Sequence, residues 1–300
     1  MPKAITLTDF GGPDVLRWTD VPLPQPGEGQ IRVKVKAAGI GPTDLALRSG
    51  RLRAFSLRPN AVLGFEVAGT VDAVGTGVTG TRVGDEVSAL LFDLGGYAEY
   101  TIASMWVAKP PSVPWAAAAC LPASAEAAAG VLRQLGVKTG DTLLVLGGGG
   151  AVGLIATQLA VAQGIEVVSA VGAQDDALVT SLGAKPVRYG AELVDAVRGV
   201  GTVGFAFDAS GKGVLADAIA LTGAADRVIT LSDPAAADFG VALSHPGPER
   251  APHALEDTMS MLARGRLRLR EYTTMRMQDA GEAHRLLEGG EVRERIVLTL

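Results

Sequence analysis

The sequence holds one cysteine, Cys120, so neither a disulfide framework nor a cysteine-rich zinc site can be assembled from it. Three histidines, His245, His253 and His284, leave few ways to build any other metal site. Cations are in the minority: 27 Lys and Arg stand against 32 Asp and Glu, a net charge of −5 with no basic run. Sequence-independent nucleic-acid binding, which needs clustered cations to displace counterions, is therefore not expected. Aromatics are only 5% of the chain, a composition that suits a sheet covered by helices better than an aromatic-rich binding surface. Long apolar runs are missing too. The best one, residues 143–162, is broken by four consecutive glycines and Gln158, so no membrane span is expected. The opening Met1-Pro2-Lys3-Ala4-Ile5 carries no apolar signal region, and the expected location is the cytoplasm.

What is present is apolar material for a large core: 48% hydrophobic residues against 20% charged ones, over 300 residues. At ~150 residues per domain, two domains are expected. The first part reads as β-rich. Residues 30–36 alternate polar and apolar, 65–75 read as a strand with glycine bends, 82–87 as a turn into a strand and 95–100 as a further strand. Frequent Gly and Pro between short strands point to a barrel-like domain. After Pro110, Pro111 and Pro114 the texture changes, and 115–135 reads as one Ala-rich helix. Strands at 142–146, 166–171, 204–209 and 226–231 then alternate with helices at 151–163, 175–182, 191–197 and 213–221. This rhythm predicts a doubly wound parallel sheet. Residues 234–252 read as loop, 254–263 and 280–288 as helices, and 294–300 as a last strand.

The strongest chemical signal is Leu146-Gly147-Gly148-Gly149-Gly150-Ala151-Val152-Gly153, which contains G-x-G-x-x-G as Gly148, Gly150 and Gly153. A buried strand precedes it and a helix follows. In this context Gly148 permits a tight turn, Gly150 lets the backbone approach a pyrophosphate, and Gly153 lets helix and strand pack closely. The helix start adds free N–H groups and a positive dipole end. The tip of the second strand, Val171-Gly172-Ala173-Gln174-Asp175-Asp176, carries no cation for a 2′-phosphate. Asp175 and Asp176 lie slightly past the tip, where they would serve either the ribose of NADH or the start of a helix. The local residues do not choose between NADPH and NADH.

Several segments together resemble the medium-chain dehydrogenase/reductase superfamily, in its zinc-free, quinone oxidoreductase-like (zeta-crystallin-like) branch. They are residues 8–16, 33–44, 48–50, 63–71, 83–87 and 95–100, the glycine loop, and residues 283–290 and 296–298. The resemblance implies an α/β chain with a GroES-like substrate domain from residues 1–115 and 256–300. A Rossmann domain of residues 116–255 is inserted between them, and the protein is expected to be a homodimer. It places Gly148, Gly150, Ala151, Val152, Gly153, Gly172, Arg188, Tyr189, Leu231 and Arg295 at the cofactor, with Gly41, Ala46 and Phe65 in the substrate pocket. It makes Thr43, Asp44 and Ser124 the candidates for catalysis. Asp44 also reads as a helix cap, Tyr189 and His284 as structural residues, and Cys120 as inert core.

The zinc-dependent relatives carry a Cys near Gly41 and a His at Phe65, and neither is present here. No zinc is expected, because Glu66 alone cannot supply the roughly four ligands the metal wants. The branch also favours an Asn at Gly41, a Tyr at Ala46 or Leu52, a Thr near Ala127 and a Gly-Lys where this chain has Glu294-Arg295. The cofactor cradle is kept while the polar substrate wall is stripped, leaving a roomier, more apolar pocket. The expected function is hydride transfer from NADPH, with NADH not excluded, to a small hydrophobic carbonyl conjugate such as a quinone, an enone or a polyketide-like intermediate. A weak NADPH preference should rest on Arg188 and be screened by salt. A nucleotide-binding module or a non-redox catalyst on the same fold is the alternative.

Overall fold

A computed structural model describes residues 1–52, 60–247 and 249–300. The chain divides into two units, one of residues Met1–Ala123, Leu255–Arg264 and Glu271–Leu300, the other of Ser124–Ala254 and Gly265–Arg270. The α/β class read from the sequence holds, with a β-rich first unit and a parallel-sheet second unit. The bounds differ from the expected ones: the first unit runs on to Ala123, and Gly265–Arg270 belongs with the second.

The first unit is organised around the strand Ile31–Gly39. Its alternation buries Ile31, Val33 and Val35 and turns Lys34 and Lys36 outward. It pairs antiparallel with Glu66–Val74, Tyr100–Ala103 and Arg295–Thr299. The last of these pairs in parallel with Tyr272–Arg276, so residues from both ends of the sequence share one seven-stranded sheet. A three-stranded sheet, Leu16–Asp20, Lys3–Leu7 and Ala61–Val62, packs into the same apolar core.

Two local readings are corrected here. The strand expected over 95–100 is reduced to an isolated antiparallel bridge between Ala98 and Ala4, and the continuous strand begins at Tyr100. Leu94 and Gly95 are left-handed (φ 67° and 103°), and just beyond them Gly96 N donates to Gly64 O at 3.1 Å and Tyr97 N to Leu63 O at 2.9 Å. Residues 115–135 form two helices, Trp115–Ala119 and Pro122–Leu135. Pro122 lacks an N–H and disfavours helical backbone at Leu121, which breaks the run.

In the second unit the parallel sheet runs Lys185–Arg188, Glu166–Val171, Thr142–Leu146, Phe205–Asp208, Val228–Thr230, Ala242–Leu243. In chain order this is 3-2-1-4-5-6, the doubly wound order. Thr142–Leu146 is buried almost throughout, as a strand covered on both faces must be. The expected helix at 175–182 is a 3-10 turn over Ala173–Asp175 followed by a short helix, Asp176–Ser181. The order reverses between Thr142–Leu146 and Phe205–Asp208, and ligands of such sheets bind beyond the carboxyl ends of the strands at that reversal.

Candidate functional site

The chain leaves Leu146 through Gly147, whose φ of 91° gives the left-handed turn. Gly147, rather than Gly148, is thus the turning residue. Gly148 and Gly153 are small for packing. A Cβ on Gly148 would lie 1.7 Å from Ser169 Oγ, and one on Gly153 would lie 2.3 Å from the carbonyl oxygen of Gly147. Gly150 differs, because a Cβ there would meet only Gly147 O, at 3.2 Å. The protein fills the space beside Gly148 and Gly153 and crowds that beside Gly150 least, with one backbone oxygen as its neighbour, which suits a backbone approached by another molecule. Gly150 N-caps the helix Ala151–Ala162, whose first turn has no side-chain cap and no acidic residue. The N–H groups of Ala151, Val152 and Gly153 and the positive end of the helix therefore face a place suited to phosphate. These residues fit the pyrophosphate of a dinucleotide.

Around the turn the carboxyl ends of neighbouring strands are tied together. Asp208 is fully buried: its Oδ1 accepts Ser210 N at 2.9 Å, Ser210 Oγ at 2.7 Å and Gly211 N at 3.1 Å, and its Oδ2 accepts Thr230 Oγ1 at 2.8 Å. Leu231 follows Thr230 and donates its N–H to Asp208 O at 3.0 Å. Tyr189 packs on the core of this unit, its hydroxyl buried toward Ser210 and the Gly147 backbone, and burial pushes the phenol up to about 12. Lys212 Nζ lies 5.2 Å from the centre of its ring. Gly172 N-caps the 3-10 turn, and Asp175 N donates to its carbonyl at 3.0 Å. Neither Asp175 nor Asp176 caps a helix with its side chain. Asp175 binds Arg270, and Asp176 binds both terminal nitrogens of Arg188. Arg188 pairs in register with Val171, so it stands beside the tip of the second strand. Asp208 and Arg270 were missed by the sequence reading. Asp208, at the end of a strand next to the glycine turn, carried a signal in its position; Arg270 carried none.

The first unit gathers the remaining residues. Gly41 N-caps the helix Pro42–Ser49, on which Thr43 is exposed and Ala46 half-buried. Asp44 is buried and turned inward: its Oδ2 accepts Gly41 N at 2.8 Å and its Oδ1 accepts Gly64 N at 3.0 Å. It ties the helix start to the segment that carries Phe65, as the capping reading expects. Burial, chiefly, pushes its carboxyl up to about 7. The Tyr97 hydroxyl lies 3.3 Å from His284 Nε2, and burial lowers His284 to about 3. Arg295, expected at the cofactor, is largely withdrawn from solvent and bonded within this unit. It binds Glu66, donates to Cys120 O at 2.7 Å and reaches Ile40 O at 3.2 Å. Its charge answers the buried Glu66, whose other oxygen accepts Ala123 N at 3.0 Å. Cys120 is buried, and that burial pushes its thiol up to about 11, against the pull of the Arg295 charge. Ser124 is buried early in the helix Pro122–Leu135. Among the described residues no group of three or more His, Cys, Asp or Glu side chains could hold a metal ion, and no helix is long and apolar enough to cross a membrane.

Comparison with known proteins places this geometry. Residues 27–112 match the alcohol dehydrogenase GroES-like domain. A quinone oxidoreductase from Sus scrofa is 35% identical over 178 residues, 58% of this chain and 54% of the relative. An NADPH-dependent alkenal/one oxidoreductase of Arabidopsis thaliana chloroplasts is 35% identical over 195 residues, 61% of this chain and 50% of the relative. The chain thus spans about half the length of the curated relatives it matches. The structure of the quinone oxidoreductase from Coxiella burnetii superposes with a TM-score of 0.86 at 27% identity, over 100% of this chain and 99% of the other.

Proposed function

The chain is a quinone-oxidoreductase-like member of the medium-chain dehydrogenase/reductase superfamily, and from that premise we propose that it is an NADPH-dependent reductase of hydrophobic quinones or enones. The observation that carries the reading is the turn at Gly147–Gly153, where Gly150, the glycine of G-x-G-x-x-G least crowded by the protein, adjoins an uncapped helix start. Bound there, the cofactor supplies a hydride, and no protein nucleophile is needed.

The residues then have separate tasks. The N–H groups of Ala151, Val152 and Gly153 hold phosphate oxygens, and Asp208 keeps the loop after its strand in one arrangement through Ser210, Gly211 and Thr230. Asp44 fixes Gly41 relative to Gly64, and so sets the wall that Gly41, Ala46 and Phe65 present to substrate. That wall is small and apolar and suits a conjugated carbonyl compound held by its hydrophobic body. Neither Gly41 nor Phe65 can ligate a metal, which supports chemistry without zinc. Thr43 Oγ1, on the exposed helix start and reprotonated from solvent, or solvent itself supplies the proton that the reduced carbonyl compound takes up. The working form is a homodimer in the cytoplasm.

Purified protein should oxidise NADPH when given a panel of quinones and enones, with no stoichiometric zinc by elemental analysis. Tight NADPH binding with no turnover across the panel would reject the reductase in favour of a nucleotide-binding module.

A further inference from the structure

Two adjacent carboxylates follow the second strand of the parallel sheet, and each holds an arginine. The pair between Asp176 and Arg188 is open to water, with the side chains 35% and 48% exposed. The pair between Asp175 and Arg270, at 2.6 Å, is largely withdrawn from it, at 13% and 17%. Asp175 also lies against the glycine turn, since a Cβ on Gly149 would come within 2.4 Å of its Oδ2. Arg270 arrives from 95 residues further along the chain, on the segment Gly265–Arg270. That segment is anchored. Arg268 N donates to Gln158 Oε1 at 2.7 Å, Gln158 Nε2 donates back to Arg268 O at 2.9 Å, and Leu267 is buried. Gln158 sits on the helix that begins at the glycine turn, so Arg270 is held in a fixed relation to it.

A carboxylate just beyond the second strand has two effects on a dinucleotide. It accepts hydrogen bonds from ribose hydroxyls, which favours NADH, and it repels a 2′-phosphate, which disfavours NADPH. Arg270 reverses both. It occupies a carboxylate oxygen and cancels the charge, and its guanidinium carries five donors in a fork that matches phosphate. We infer that Arg270 is the specificity-determining residue of the adenosine end: it masks Asp175 and supplies the cation that a 2′-phosphate requires. Arg188, exposed and engaged by Asp176, is secondary. The inference rests on the nucleotide reading of the glycine turn.

The test uses calorimetric titration of the full chain with two half-cofactors, adenosine 2′,5′-bisphosphate and 5′-AMP, neither of which can transfer hydride. The parent should bind the bisphosphate more tightly. Arg270→Ala should weaken the bisphosphate about tenfold, the scale of one charge-assisted contact, and tighten 5′-AMP, because Asp175 is released. Asp175→Ala should move the other way and tighten the bisphosphate. An Arg270→Ala variant with the parent's ratio of affinities overturns the inference, as does a parent that prefers 5′-AMP; in both cases the glycine-turn reading stands. A parent that binds neither compound overturns that reading, and the inference with it. Should Arg270→Ala fail to fold, Asp175→Ala decides, and an unchanged bisphosphate affinity overturns the inference.

Discussion

The glycine turn of the second unit and the polar cluster inside the first both hold the backbone in one arrangement, by opposite means. The turn spans seven consecutive residues, Gly147–Gly153, and works through backbone N–H groups and the absence of side chains. The cluster draws Asp44, Glu66, Tyr97, His284 and Arg295 from separate segments and works through one compensating charge pair, Glu66 with Arg295, and hydrogen bonds to the other side chains. A backbone device tolerates change in its neighbours and fails when a single atom is added. A charge cluster has no single critical atom, and its cost appears when a partner is removed and another is left in the core.

The largest effect should come from breaking the cluster. Arg295→Met leaves the Glu66 carboxylate buried beside Gly39 without its cation and should cost about 3–5 kcal/mol in urea unfolding. The double variant Glu66→Gln/Arg295→Met should cost less than Arg295→Met alone. Equal or larger loss in the double variant would show that the two residues act separately.

Next is the turn. Gly150→Val should shift the unfolding midpoint less than Gly153→Ala does, because its Cβ meets a single atom, Gly147 O, at 3.2 Å, and should weaken NADPH binding about 100-fold, roughly 2.7 kcal/mol, in a fluorescence titration. Gly153→Ala should show the reverse pattern, a less stable protein, because its Cβ meets the Gly147 carbonyl at 2.3 Å.

The third concerns pH. Asp44 is raised from 3.8 to about 7, so between those values the folded state binds more protons than the unfolded one, and stability falls as pH rises. His284 is lowered from 6.5 to about 3, so over that range the folded state binds fewer protons, and stability rises with pH. Where the windows overlap, from about 4 to about 6.5, the two slopes oppose each other and the parent should be nearly flat. His284→Gln should uncover a loss of about 1.4 kcal/mol per pH unit on raising the pH, and Asp44→Asn a gain of that size, both read from urea midpoints. A steep slope in the parent, or flat profiles in both variants, would separate the two groups.

The smallest concerns Arg188. Arg188→Ala should change NADPH affinity by no more than about threefold at low salt and not at all at high salt, since its pair with Asp176 is exposed.

The same contrast explains what could be read in advance. The glycine turn, the alternating strands and helices and their parallel sheet are local patterns of period and spacing, and they stand in the sequence as they do in the fold. The missed features are those in which distant residues meet. Arg295 pairs with Glu66 across 229 positions, and Arg270 with Asp175 across 95. No periodicity marks either arginine, and each was placed by its neighbours in sequence or not at all. The break at Pro122 was visible as a proline, but the run of alanines on both sides outweighed it. The bend before Tyr100 depends on left-handed Leu94, a conformation that leucine gives no reason to expect.

The strand Arg295–Thr299 lies beside Ile31–Gly39 at the centre of the first unit's sheet, and this bears on how the protein is made. During synthesis Ile31–Gly39 emerges early and has Glu66–Val74 and Tyr100–Ala103 to pair with, yet its stretch Ala37–Gly39 stays unpaired on one side until Arg295–Thr299 has been made. Between those moments the ribosome delivers the whole parallel sheet, which needs nothing from the last thirty residues, Glu271–Leu300. The second unit is thus free to fold first although it comes later in the gene, while the first waits with an open strand edge, the state most prone to pairing with a neighbouring nascent chain.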